Sequence, residues 1–361
     1  MLAATTLLSV VQAPSADAAP FGSADVGFAE GSSPSGADLE QRLTGMQQVM
    51  GSQQPLLRLD LDWWYVEDQQ GAALRWDRVD PAVDAAAARG MKVLLVLAYA
   101  PPWANGGHSN DKWFPVRDRD WSSIVDRTVA HFGNKVHAYE VWNEPNFVSF
   151  GNYGSDRKTR YWQLVRIAKQ RVKARCSTCV VLAGASGGGT PESGGNPNES
   201  AVWLDWAYTH GYKLDFDAVA HHPYPAWSSG KGPADPECVN RWWNMFGPAA
   251  ESPVCGELAL VHSVMVERGD SGKKIWATEF GYPTEGLSSI PSREIIRNYL
   301  VQGVNMWRSL PYTGPLFLYS YRDRCSDATD PECHFGMVTD TFTAKEPITA
   351  DLGRALRGDS G

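Results

Sequence analysis

The sequence predicts a single-domain α/β protein of the (β/α)8 TIM-barrel class, and three observations carry that prediction. The 361 residues alternate short apolar runs with longer amphipathic ones, eight times over. The short runs are near-continuously apolar, as strands are when a parallel sheet is covered on both faces. No internal repeat, heptad pattern or low-complexity linker divides the chain, and barrels routinely exceed the usual length of one domain.

Taken in order, the apolar runs give the strands and the amphipathic runs the helices. DVGFAEG at 25–31 is the first expected strand and 36–50 its helix. LLRLDLDW at 56–63 leads to a helix at 77–90, and KVLLVLAYA at 92–100 to one at 121–133. VHAYEVWN at 136–143 precedes a helix at 157–174, and CVVLAGAS at 179–186 one at 199–211. FDAVAHH at 216–222 is followed by a helix near 256–269. KIWATEF at 274–280 pairs with a helix at 292–310, and PLFLYSY at 315–321 with a final helix at 348–358. The Gly/Pro/Ser/Asn-rich stretch 187–199 predicts a surface loop.

Composition narrows the classes of function. The chain holds 33 basic and 41 acidic residues, a formal charge of -8, and lacks any basic run able to neutralise a line of phosphates. That argues against nucleic acid as a partner. Fifteen Trp supply flat apolar faces with a polar edge, a shape that fills cores and also stacks on sugar rings.

The first twenty residues hold an apolar stretch, Leu2 to Val11, and an Ala16-Asp17-Ala18 site suited to signal peptidase. A signal peptide over 1–18 and a mature domain over 19–361 are therefore expected. No Lys or Arg precedes Arg42, so the basic segment that opens such a leader is missing and the true start is expected upstream. The apolar stretch is too short to cross a bilayer, and no later one is long enough. No cysteine near the start accepts a lipid. The expectation is a soluble protein exported to the cell exterior, without a membrane span. Nothing in the sequence specifies an oligomeric state.

Six cysteines in an exported chain point to disulfides, the simplest connectivity joining sequence neighbours. That pairs Cys176 with Cys179, Cys238 with Cys255 and Cys325 with Cys333. The alternative for the CSTC segment is half of a zinc site or a redox pair, yet no second ligand pair follows at metal spacing.

In a barrel of this class the chemistry lies at the carboxyl ends of the strands. Two expected strands end on a glutamate where the run meets a proline-bearing loop: Glu144 in VWNEPN and Glu279 in ATEFGYP. Two carboxyls facing one another suit glycosidic cleavage. The leaving oxygen needs a proton, and the carbon it leaves becomes cation-like and needs an anion. Environment separates the roles of two such groups, and Arg58 and Tyr224 are the candidates for keeping Glu279 ionised. Glu140 lies an even number of positions before Glu144, so it shares that side of the strand only deeper in the barrel. His221 and His222 are adjacent and point to opposite faces, so only one reaches the mouth. This chemistry calls for no metal and no cofactor.

A competing signal is Gly184-Ala185-Ser186-Gly187-Gly188, which fits the Gly-x-Ser-x-Gly of serine esterases. Ser186 would then work with Asp215 or Asp217 and with His221 or His222. A nucleophile elbow needs a helix directly after its serine, whereas GGGTPESGGNPNES is built from helix breakers. A third reading is a carbohydrate-binding barrel without catalysis, against which the intact glutamate pair argues.

With these residues assembled, the chain resembles the clan A retaining glycoside hydrolases, and family 39 most of all. Asn143-Glu144-Pro145 resembles the clan's acid/base motif on strand four, and Glu279 its nucleophile on strand seven. His222-Pro223-Tyr224 is similar to the strand-six segment beside the nucleophile, and Arg58 to the strand-two arginine. The resemblance spans nearly all of the mature chain. It implies a polysaccharide or oligosaccharide substrate cleaved by double displacement, by either endo or exo action, with Glu279 attacking and Glu144 as acid and base. It further implies that Asn143 binds the sugar 2-hydroxyl and that His222 and Tyr224 orient the sugar or Glu279. Trp63, Trp64, Trp103, Trp113, Trp142 and Trp227 are candidates for stacking. Two departures stand out. Where the clan ends strand eight with a Trp under the sugar, this chain offers Tyr319 or Tyr321. The added β-sandwich of family 39 xylosidases is not expected, which brings the chain closer to bare-barrel bacterial members that trim exopolysaccharides.

Overall fold

The computed structural model describes residues 21–359, except 23, 33, 188–198, 226 and 234–257. The expected signal peptide, the Cys238–Cys255 pair and nearly all of the glycine-rich stretch after Gly187 lie outside the described residues.

Eight parallel strands close into a barrel in chain order: β1 (Val26–Ser32), β2 (Leu56–Asp62), β3 (Lys92–Ala98), β4 (Val136–Val141), β5 (Val180–Gly187), β6 (Ala218–His222), β7 (Ile275–Phe280) and β8 (Thr313–Leu318). β1 pairs with both β2 and β8, which completes the ring. Among the described residues, eight helices longer than two turns follow the strands: α1 (Gly36–Met50), α2 (Asp80–Ala88), α3 (Asp118–Phe132), α4 (Arg157–Arg175), α5 (Glu199–Thr209), α6 (Leu258–Glu267), α7 (Arg293–Ser309) and α8 (Ile348–Arg357). This is the (β/α)8 barrel that the sequence predicts.

Alternation along the strands divides the barrel interior by height. Ala29, Leu56, Leu94, Ala138, Leu182, Ala218, Ala220, Trp276 and Phe317 form an apolar cluster of their own, separate from the strand-helix core. Two residues further along the same faces come Arg58 after Leu56, Glu140 after Ala138, His222 after Ala220 and Thr278 after Trp276. The barrel thus has an apolar floor and a charged ceiling. Glu279 breaks this parity, and the register of β7 against β8 shifts between Ala277 and Phe280, which lets the residue after Thr278 turn inward.

Element ends differ from expectation where side chains compete for the backbone. β2 ends at Asp62 because its Oδ1 accepts from the Trp64 N–H at 3.0 Å and caps a four-residue helix, Trp63–Val66. Trp63 and Trp64 are therefore helical. β4 stops at Val141, and Trp142 and Glu144 take positive φ, 68° and 42°, so Asn143 and Glu144 sit on the turn beyond the strand. β8 likewise stops at Leu318, before Tyr319. The helix expected at 77–90 splits into a 3-10 turn, Trp76–Arg78, and α2.

Cys176–Cys179 and Cys325–Cys333 are disulfides. The zinc alternative for CSTC falls, since both sulfurs are bonded to each other. No helix among the described residues is long and apolar enough to cross a membrane.

Candidate active site

The charged ceiling is organised around Arg58, which is fully buried on β2. Its Nε donates to Glu140 Oε2 at 2.8 Å, its Nη1 to Glu279 Oε1 at 2.8 Å, and its Nη2 to Asn143 Oδ1 at 2.8 Å. One guanidinium therefore ties β2, β4 and β7 together. Burial works against its charge, and Glu140, Glu279 and Asp60 outweigh it, holding the group well above the ordinary arginine range. Glu140 also accepts from Thr278 Oγ1 at 3.0 Å. Burial pushes its carboxyl up, Arg58 and His222 pull it down, and the pull wins.

Glu279 is tied at both oxygens, since Tyr224 Oη donates to Oε2 at 2.8 Å. His222 stands between the two glutamates. Its Nδ1 lies 3.0 Å from Glu144 Oε1 and 3.6 Å from Glu279 Oε2, while its Nε2 is 3.9 Å from Glu140. Burial depresses its pKa, but the Glu279, Glu140 and Glu144 carboxylates push it up to about 10. A carboxylate oxygen of Glu144, one of Glu279 and a ring nitrogen of His222 all lie within 4.8 Å of one another. Those are metal-ligand atoms in type. Yet Glu279 already has a donor on each oxygen, and a protonated imidazole has no lone pair to offer. The set fits an ion-pair and hydrogen-bond network better than a metal.

Arg58, Asn143, Glu144, His222, Tyr224 and Glu279 are thus brought together. Tyr319 joins them edge-on to Tyr224, ring centroids 6.4 Å apart. Of the two strand-eight tyrosines, Tyr321 turns away: its ring lies edge-on to Phe28, and its hydroxyl fills the space a Cβ on Gly45 of α1 would need.

The tryptophans scatter. Trp63 and Trp142 are fully buried, their indole N–H groups bound to Glu67 and to the Phe150 carbonyl, so neither offers a face to a sugar. Trp103 donates to the Glu67 carbonyl at 3.0 Å and lies edge-on to Trp63. Trp113 stacks on His108 at 3.6 Å and Trp227 meets Phe335 edge-on. Trp64 is half-buried beyond β2.

The esterase set is not assembled. Ser186 is buried within β5, in register with His221. Asp215 accepts from Arg166 at 2.9 Å, and Asp217 binds Lys169 and the Val181 N–H. His222 is committed to the glutamates.

Four contributors escape the sequence reading. Phe335 packs on Tyr224, Tyr319 and Trp227 with centroids 5.3–5.8 Å away. Glu332, in the loop closed by Cys325–Cys333, is pushed up to about 7 by burial and by the Glu279 and Glu144 carboxylates. Asp60 is pushed up to about 6 by burial, with Arg58 opposing and Glu279 and Glu140 adding. Gly187 packs against Glu144. Only Asp60 carried a sequence signal, two residues past Arg58 on the same strand face.

This closed barrel, with charged residues gathered at the carboxyl ends of its strands, has the fold of several solved glycoside hydrolases. Among solved structures, a family 39 glycoside hydrolase from Bacteroides cellulosilyticus WH2 superposes with a TM-score of 0.70 at 19% identity, over 92% of this chain and 63% of that one. A GH39 enzyme from Xanthomonas axonopodis pv. citri gives 0.66 at 17%, over 93% and 67%. A GH39 β-xylosidase from Caulobacter crescentus gives 0.66 at 17%, over 91% and 70%. The chain therefore shares its barrel fold with these enzymes and spans about two thirds of their length. By sequence, no family model and no curated protein matches it.

Proposed function

We propose that the protein is a retaining O-glycoside hydrolase acting on a polysaccharide or oligosaccharide outside the cytoplasm. The observation that carries the proposal is the pair of carboxylate oxygens, from Glu144 and Glu279, within 4.8 Å of one another across His222. Carboxylate oxygens that close suit double displacement, where the carboxyls stand about 5 to 5.5 Å apart, better than inversion, which leaves about 6.5–9.5 Å for a water between them.

In the proposed reaction Glu279 attacks the anomeric carbon while Glu144 protonates the departing oxygen. The glycosyl-enzyme ester is then broken by a water that gives its proton to Glu144, and Glu279 leaves as a carboxylate. Arg58 and Tyr224 hold Glu279 at its two oxygens. Because Arg58 occupies Asn143 Oδ1, the amide presents its Nδ2 as a donor, which suits the sugar 2-hydroxyl. Glu144 Oε1 is held by His222, leaving Oε2, which makes no hydrogen bond among the described residues, for the leaving group. Tyr319 supplies an aromatic wall. Export is supported by the two disulfides.

The test is turnover of aryl β-glycosides and a panel of polysaccharides by wild type and Glu279→Gln, with products followed by NMR. Aryl xylosides come first, because one neighbour is a β-xylosidase. The expected result is cleavage with retained anomeric configuration, abolished in the variant. Substantial residual activity in Glu279→Gln sinks the proposal. Product lengths from the polysaccharide separate endo from exo action. Glycan binding without cleavage over long incubation would favour a non-catalytic barrel.

A further inference from the structure

Gly187 closes β5 in register with His222, the residue that holds Glu144 Oε1. An ideal Cβ built on Gly187 falls 2.5 and 2.7 Å from the Phe147 ring and 3.1 Å from Glu144 Oε1 itself. Contacts of that length are repulsive, so no residue with a side chain fits without moving both neighbours. Phe147 and Glu144 share one turn: the Phe147 N–H donates to the Glu144 carbonyl at 3.0 Å, and Glu144 takes a φ of 42°. The Gly187 carbonyl is fixed in turn: Asn146 Nδ2 donates to it at 3.1 Å and Ser200 Oγ at 2.6 Å. The Asn146 carbonyl accepts from Arg157 at 3.1 Å, which anchors the turn to α4.

The geometry points to Gly187, clamped by Asn146 and Ser200, as a positioning residue for the Glu144 carboxyl, holding Oε1 against His222 and so aiming Oε2 at the leaving group. This rests on the glycosidase reading above. It also gives the segment around Ser186 a role, in which Gly187, at the variable position of the Gly-x-Ser-x-Gly pattern, bears on the reaction and the serine does not.

A displaced acid has a signature that general loosening lacks. When the leaving phenol is acidic it departs unprotonated, so protonation matters only for poor leaving groups. The experiment compares kcat/KM of Gly187→Ala and of wild type on a 2,4-dinitrophenyl and an unsubstituted phenyl glycoside. The expected result is a loss of about tenfold or more on the phenyl glycoside with the dinitrophenyl value nearly unchanged. Azide should also raise kcat of the variant on the dinitrophenyl substrate. It attacks the anomeric carbon of the glycosyl-enzyme, expels Glu279 as a carboxylate and yields a glycosyl azide, bypassing the base. Ser200→Ala, which releases the carbonyl without adding volume, is the second variant and should show the same pattern, weaker. Equal losses on both substrates in the variants, or none, overturn the proposal. Both glycosides carry the sugar that wild type cleaves in the panel above; a wild type that cleaves nothing in that panel overturns the glycosidase reading itself, and this inference with it.

Discussion

At the scale of single residues, the site is a set of charges that stabilise one another. Removing the Tyr224 hydroxyl takes one of the two donors from Glu279. A hydrogen bond to a charged group is worth about 1.5–3 kcal/mol. Tyr224→Phe should therefore lower kcat/KM by about 10- to 100-fold with the fold intact, measured by steady-state kinetics beside circular dichroism. Arg58→Met should do something different, leaving Glu140 fully buried without its cation. Breaking a buried pair costs about 3–5 kcal/mol, so the urea midpoint should fall along with activity. Much of this was legible in the sequence, because Glu144, Glu279 and His222 each stand at the end of an apolar run and Arg58 is the one cation inside such a run. Phe335 and Gly187 were not. Their significance lies in what they touch, and the 43 positions separating Gly187 from Glu144, like the 111 separating Phe335 from Tyr224, leave no periodic trace in one chain.

At the scale of elements, the segment between β8 and α8 acts as a wall of the site. Lys345 is buried and its Nζ donates to Asp323 Oδ1 at 2.6 Å, to Thr284 Oγ1 at 2.8 Å and to the His334 carbonyl at 3.1 Å. Burial draws the ammonium pKa down against Asp323, which raises it. This knot holds the chain on either side of Phe335, the ring that backs Tyr224 and Tyr319. Phe335→Ala should cost about 3–5 kcal/mol of stability as a buried aromatic. Because Tyr224 and Tyr319 lose their support, KM should also rise more than kcat falls, a split that kinetics on the folded variant resolves. The strands and helices of the barrel were legible as eight apolar and eight amphipathic runs. Their ends were not, since a cap such as Asp62 and the positive-φ turn at Trp142 and Glu144 depend on local hydrogen bonds that hydrophobic periodicity does not register.

At the scale of the whole molecule, two adjacent histidines contribute opposite pH dependences to stability. His221 is buried, and burial together with the charge of His222 pulls it from 6.5 down to about 3. A group depressed on folding stabilises the protein above its unfolded pKa. That contribution is lost as pH falls from about 6.5 toward 3. His222 is raised to about 10, so its contribution is complete below about 6.5 and lost as pH rises through 10. Asp60 and Glu332, raised to about 6 and about 7, oppose His221 over the acid range, so the histidine is read as a difference: the urea midpoint of wild type minus that of His221→Gln should fall as pH drops from about 6.5 toward 3 and stay level above 7.

The apolar floor beneath the charged ceiling separates what keeps the barrel shut from what operates on a substrate. Leu94→Ala at the floor should lower stability by about 2–5 kcal/mol while kcat/KM and its pH profile at 25 °C stay those of wild type. For protein engineering this means two independent dials on one scaffold. Durability can be raised by refilling the lower layer, and substrate preference altered by exchanging the loops above it, with neither campaign forced to undo the other.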